Sequence, residues 1–163
     1  MNQISFTRIS DMIFITYLIT NHPFIGAISF NCAAGVFVGF KSAMFIDLYG
    51  YTKCLELMAN HHQVTYNKIL IGDFFAHIVP FIYLSYNYTR WFNHQYMIIA
   101  FIVSSFFHLI WAYINCNGLN LNQIYLTDCE YQLSDKKWEL MWVFTVLGHS
   151  LSCIVYILSK EFT

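Results

Sequence analysis

Three stretches of about twenty residues carry almost no charge: 69–89 holds only Asp73, 95–115 holds none, and 139–159 is charge-free after Glu139. A bilayer core of about 30 Å is crossed by roughly 20 apolar residues in a helix. Within lipid, only helices and closed barrels satisfy every main-chain polar group internally. A fourth stretch, Met12 to Phe40, is also uncharged, but as one straight helix it would measure about 43 Å. Asn21-His22-Pro23 divides it, because the residue before a proline is driven out of helical geometry. The first span is therefore expected over 24–46, with Lys41 snorkelling to the surface. Residues 4–20 become an interfacial helix or a fifth, short span.

Composition points the same way. The 163 residues are 58% hydrophobic and 10% charged, against about a quarter charged in soluble domains, so a soluble fold would leave too much apolar surface in water. So little charge excludes disorder, and five Cys over this length exclude a disulfide scaffold. A net charge of −1 offers no basic face for nucleic acid. The expected fold is all-α: a polytopic transmembrane bundle of four spans, or five, forming one integral multi-pass domain over 1–163. Its first partner is the bilayer. A signal peptide is the rival reading of the N-terminus, with Arg8 as its basic region and Ala27-Ile28-Ser29 as its cleavage site. Asp11 and the hydrophobic continuation to Phe40 argue against it.

Lys and Arg in short loops set orientation. Lys41, Lys53, Lys68, Lys136 and Lys137 fall on one side, and Arg8, Arg90 and Lys160 on the other. This majority puts the two longer loops, 47–68 and 116–138, in the cytosol, where Cys116 and Cys129 stay reduced. A membrane-crossing N-terminal segment would move Arg8 to the majority side. Trp91, Trp138, Trp142, Tyr88, Tyr96 and Tyr113 sit near span ends and read as an aromatic belt. Asn87-Tyr88-Thr89 matches a glycosylation pattern but lies too near the bilayer to be used.

Ionisable residues inside spans are costly and face the bundle interior. Asp73 and His77 are four apart on one helix face; His108 and His149 lie on polar stripes of the next two spans. Because successive helices alternate in direction, the three His lie roughly 10 to 15 Å below the same membrane face. Lys41, Ser42 and Asp47 close the first span there. A convergent site of Asp73, His77, His108 and His149 is the expectation. An Asp-His pair can orient a neutral imidazole as a general base for a hydroxyl nucleophile, with Ser42, Ser104 or Thr145 as candidates. The same residues can instead form packing glue in a non-catalytic scaffold, or a His-rich metal site without specific ligand spacing. No cofactor is implied.

The segment Phe74-Phe75-Ala76-His77-Ile78-Val79-Pro80-Phe81-Ile82-Tyr83-Leu84 resembles the His-containing helix of the androgen-induced membrane-protein family and its bacterial relatives. His108-Leu109-Ile110-Trp111-Ala112-Tyr113, with Gly118 and Tyr125 beyond, is similar to that family's next helix and exit loop. The resemblance covers about a third of the chain. It implies hydrolysis of fatty-acid esters within the membrane by a Thr and a His, with His77 as the base and a lipid as substrate. The chain departs from the pattern in having fewer than six spans. It also has Met44, which cannot be a nucleophile, where the family's Thr precedes a Phe-Ile-Asp-like run. Gly35 and Gly39 form a small-xxx-small pair that can pack inside the bundle or join two copies.

Overall fold

The computed structural model describes residues 6–93, 95–115 and 135–161, and every regular element among them is helical. In chain order these are α1 (Phe6–Thr20), α2 (Pro23–Ile46), α3 (Leu48–His61) and α4 (Tyr66–Asp73). The last continues through a π-helical turn (Phe74–Ile78) into α5 (Val79–Tyr86). A single turn, α6 (Tyr88–Trp91), then precedes α7 (Met97–Asn115) and α8 (Asp135–Glu161). Among the described residues, four segments are long and apolar enough to cross a membrane: Pro23–Ile46, Tyr66–Tyr86, Met97–Ile114 and Glu139–Leu158. The chain is an all-α transmembrane helix bundle.

The centre of the bundle is α2, which is buried without a break from Gly26 to Val36. A helix covered all round is one that the others surround. Small residues let backbones approach closely where lipid supplies no hydrophobic drive between helices. A Cβ on Gly148 of α8 would run into the main-chain carbonyl of Ala34. Gly35 faces the His149 ring, and Gly39 faces Thr145, so α8 covers the small-residue pair within one chain.

Asn21-His22-Pro23 turns α1 back onto α2. Asn21 takes φ +48°, a left-handed conformation that Asn tolerates, and its N–H closes α1 on Tyr17 O at 2.7 Å. His22 Nδ1 accepts from Phe24 N at 3.3 Å, and Pro23 fills the first turn of α2, where no N–H is needed. The two helices run antiparallel: Tyr17 lies against Gly26, while Phe6 reaches the His149 ring near Gly35. With 15 residues, α1 is about 22 Å long. It buries Phe6, Ser10 and Tyr17 and turns Met12, Ile15, Leu18 and Ile19 outward, which makes it a short fifth member of the bundle.

Three expectations need correction. The stretch 47–68 is not a loop: it contains α3, whose buried Tyr51, Leu55 and Ala59 fall on one stripe, with Tyr51 and Leu55 packed in one cluster with Ala43 and Met141. Asp47 starts this helix by accepting from Gly50 N at 2.9 Å. Trp91 and Trp142 are not belt residues. Both are buried, and Trp91 Nε1 donates to Leu84 O at 2.8 Å, which spares the indole from needing an interfacial partner. Lys41 does not snorkel; it turns inward to a buried carboxylate. The second longer loop, with Cys116, Gly118, Tyr125 and Cys129, lies outside the described residues.

Candidate functional site

Pro80 shapes the site. Its missing N–H prevents an ordinary α-turn before it, and the helix widens so that Val79 N–H reaches back five residues to Phe74 O. Such π-turns recur at functional positions. This one carries His77, whose ring stacks on Phe40 of α2 at 4.3 Å between centroids. His77 Nε2 lies 3.2 Å from Thr7 Oγ1 on α1. Its Nδ1 lies 2.8 Å from Asp73 Oδ1, while the ring N–H aligns better with Asp73 O at 3.1 Å. In the neutral tautomer whose proton is on Nδ1, toward Asp73, Nε2 offers a lone pair to the threonine hydroxyl. Thr7, His77 and Asp73 therefore stand in the order of a nucleophile, a base and an orienting group.

The carboxylate is held from its other side. Lys41 Nζ forms an ion pair with Asp73 Oδ2. Tyr51 OH donates to the same oxygen at 3.2 Å and accepts from Lys41 at 2.9 Å. Burial, and then the neighbouring carboxylate, push the Tyr51 phenol above its ordinary pKa, so it stays a donor at neutral pH. A buried carboxylate needs such partners, because an isolated charge in an apolar interior is strongly unfavourable.

His108 and His149 form a second group, 2.7 Å apart between Nδ1 and Nε2. Phe6, the neighbour of Thr7 in sequence, stacks on His108 at 3.7 Å between centroids. With its amide nitrogen facing the acceptors, Asn31 donates to His149 O at 3.2 Å and to Ser152 Oγ at 2.7 Å, tying α2 to α8. All three imidazoles point inward, with His77 11%, His108 7% and His149 2% exposed. Asp73 and His77 are brought together, and so are His108 and His149. The two pairs do not touch each other.

Thr7, the partner of His77, and His108 border one cleft with about 810 Å³ of free space, including its open mouth, while Asp73, His77 and His149 stand behind its walls. Its walls include Thr7, Gly35, Phe40, His108, Trp142 and Thr145, and its far end includes Asp47, Gly50, Tyr51 and Cys54. Of the hydroxyls expected as nucleophiles, Ser42 donates to Gly39 O at 2.5 Å and Ser104 to Phe101 O at 3.0 Å. Thr145 lines the cleft but donates to Met141 O at 2.9 Å. Each is bonded to its own helix. Sequence reasoning missed Thr7 and Tyr51, and it put Lys41 at the same membrane face without pairing it with Asp73. No local signal links a threonine to a histidine 70 residues away. Among the described residues, no three His, Cys, Asp or Glu side chains gather as a metal-binding set. Comparison with protein-family models, curated proteins and solved structures finds no match.

Proposed function

We propose that this chain is an intramembrane lipid-ester hydrolase in which Thr7 is the nucleophile, His77 the general base and Asp73 the group that orients it. The observation that carries the reading is the 3.2 Å approach of Thr7 Oγ1, in the wall of an apolar cleft, to His77 Nε2, with Asp73 on the other side of the imidazole. A polar relay against an apolar chamber suits a substrate with one reactive ester and a long acyl chain. The resemblance of 74–84 to the androgen-induced family supports the same pairing of a Thr with a His. In that family the threonine precedes a Phe-Ile-Asp-like run, whereas the threonine proposed here stands on α1 and not beside Phe45-Ile46-Asp47.

In the reaction, Thr7 Oγ bonds to the ester carbonyl carbon as its proton passes to His77 Nε2. The carbonyl electron pair moves onto oxygen. When it returns, the bond from carbon to the alcohol oxygen breaks, and His77 gives its proton to that oxygen. Water then attacks the acyl-threonine, losing a proton to His77. The carbon–Thr7 bond breaks, the proton returns to Thr7 Oγ, and a fatty acid leaves.

A fluorophosphonate probe on detergent-solubilised protein tests this. Labelling should map to Thr7, vanish in Thr7→Ala and His77→Ala, and persist in Ser42→Ala and Ser104→Ala. Labelling that survives Thr7→Ala refutes the assignment. A second reading is a non-catalytic scaffold, favoured by the ties that Lys41–Asp73 and Asn31–Ser152 make between helices. It predicts no labelling of the folded protein at all.

A further inference from the structure

The relay of Thr7, His77 and Asp73 leaves one requirement of ester cleavage without a residue. Charge develops on the substrate carbonyl oxygen, and a preorganised hydrogen-bond donor must meet it there. Lys41 and Tyr51 are engaged on the far side of Asp73. The paired histidines are not used by the relay, yet His108 borders the same cleft as Thr7 and stacks on the side chain next to it in sequence.

The pair contains four ring nitrogens. His108 Nδ1 and His149 Nε2 face each other at 2.7 Å, so one of them must carry the shared proton. His149 Nδ1 is sealed in the protein without a hydrogen-bond partner. His108 Nε2 is the nitrogen left to the cleft. If His108 Nδ1 held the proton, a neutral His149 would carry its own on the sealed Nδ1, as a buried donor with nothing to receive it. Buried N–H groups without acceptors are rarer in proteins than under-used acceptors. The arrangement that avoids this has His149 Nε2–H donating to His108 Nδ1. A neutral His108 then carries its proton on Nε2.

We propose that the His149–His108 pair presents a neutral imidazole N–H, that of His108 Nε2, to the cleft as the hydrogen-bond donor for the carbonyl oxygen of the lipid ester. This rests on the hydrolase reading and adds the group that stabilises its oxyanion. His149 touches no substrate: it is a positioning residue that fixes the tautomer of His108. The site also explains Gly35, where a Cβ would lie 2.5 Å from His149 Cδ2 and Nε2 and push the ring from its partner.

Two measurements test it. Ring-nitrogen correlation spectra of ¹⁵N-histidine-labelled protein in micelles should show both His108 and His149 protonated on Nε2 alone at neutral pH. Finding His108 protonated on Nδ1, or either ring cationic, overturns the proposal whether or not the protein is an enzyme. In turnover of a lipid ester, His108→Phe keeps the ring stack but removes the donor. It should lower kcat by about 100-fold with KM changed little. His149→Gln can still donate from the position of Nε2 and should keep most of the activity, whereas His149→Leu should behave like His108→Phe. Equal loss in His149→Gln and His149→Leu, with both folded, would mean that His149 serves packing only and would overturn its role. A wild-type chain with the expected tautomers but no esterase activity would end the hydrolase reading, and with it the assignment of this donor to an ester.

Discussion

Asp73 meets three side chains, bound by Lys41 and Tyr51 on one oxygen and facing His77 with the other. Removing one member of a buried ion pair leaves an uncompensated charge and costs about 3 to 5 kcal/mol. Asp73→Asn and Lys41→Met should each destabilise the bundle by that order in steric-trapping or detergent-unfolding measurements. The double variant should lose far less than the sum of the two, because no unpaired charge remains. Additive losses would show that the pair is not the unit. In the sequence, the Asp73–His77 pair is legible from its spacing of four on a helix. Lys41 and Thr7 are not, because they join the cluster from helices 32 and 70 residues away. Lys41, at the end of an apolar run, reads equally well as a snorkelling anchor, and only the partner it meets decides between the two.

At the scale of helices, apolar length was enough to locate the four spans, because the bilayer penalises any other arrangement of a 20-residue uncharged run. The amphipathic α3 was hidden by the same criterion: its Lys53 and Glu56 look like loop residues until Tyr51, Leu55 and Ala59 are seen on one stripe. Contact between helices is read from the glycines. Gly148 lets α8 meet the backbone of Ala34, which cannot move aside as a side chain would. Gly148→Ala should therefore destabilise by about 1 to 3 kcal/mol, as overpacking does. Gly72 in α4 has nothing within 4 Å of a new Cβ. Gly72→Ala should be neutral or stabilising by up to about 1 kcal/mol through its lower backbone entropy. Both are helix-interior Gly→Ala changes, so the difference between them isolates packing from propensity. Equal effects would mean that α8 and α2 do not approach as closely as described.

For the whole molecule, the direction of α1 changes the charge balance across the membrane. Phe6 lies near Gly35 and His149, and α1 runs from that depth toward the start of α2, so Arg8 no longer counts for the face opposite Lys41, Lys53, Lys68, Lys136 and Lys137. Arg90 and Lys160 remain opposite. Basic residues near span ends are retained in the cytosol, so we predict that α3 and the far end of the cleft, with Asp47, Gly50, Tyr51 and Cys54, face the cytosol. Single cysteines in a cysteine-free background read this directly. Asn60→Cys follows the buried stripe of α3, and Thr89→Cys follows the end of α5, with the Tyr66–Tyr86 span between them. In sealed vesicles with the translocated face outward, an impermeant maleimide should label Thr89→Cys at once and Asn60→Cys only after detergent. The reverse pattern would invert the protein and place Cys116 and Cys129 in the compartment where they can bridge. Labelling of both before detergent would mean that Tyr66–Tyr86 does not cross, and His77 would then have no fixed depth beside Thr7. Orientation also bears on the proposed hydrolysis: with the cleft's far end toward the cytosol, an ester would be drawn from the cytosolic leaflet and its fatty acid returned there.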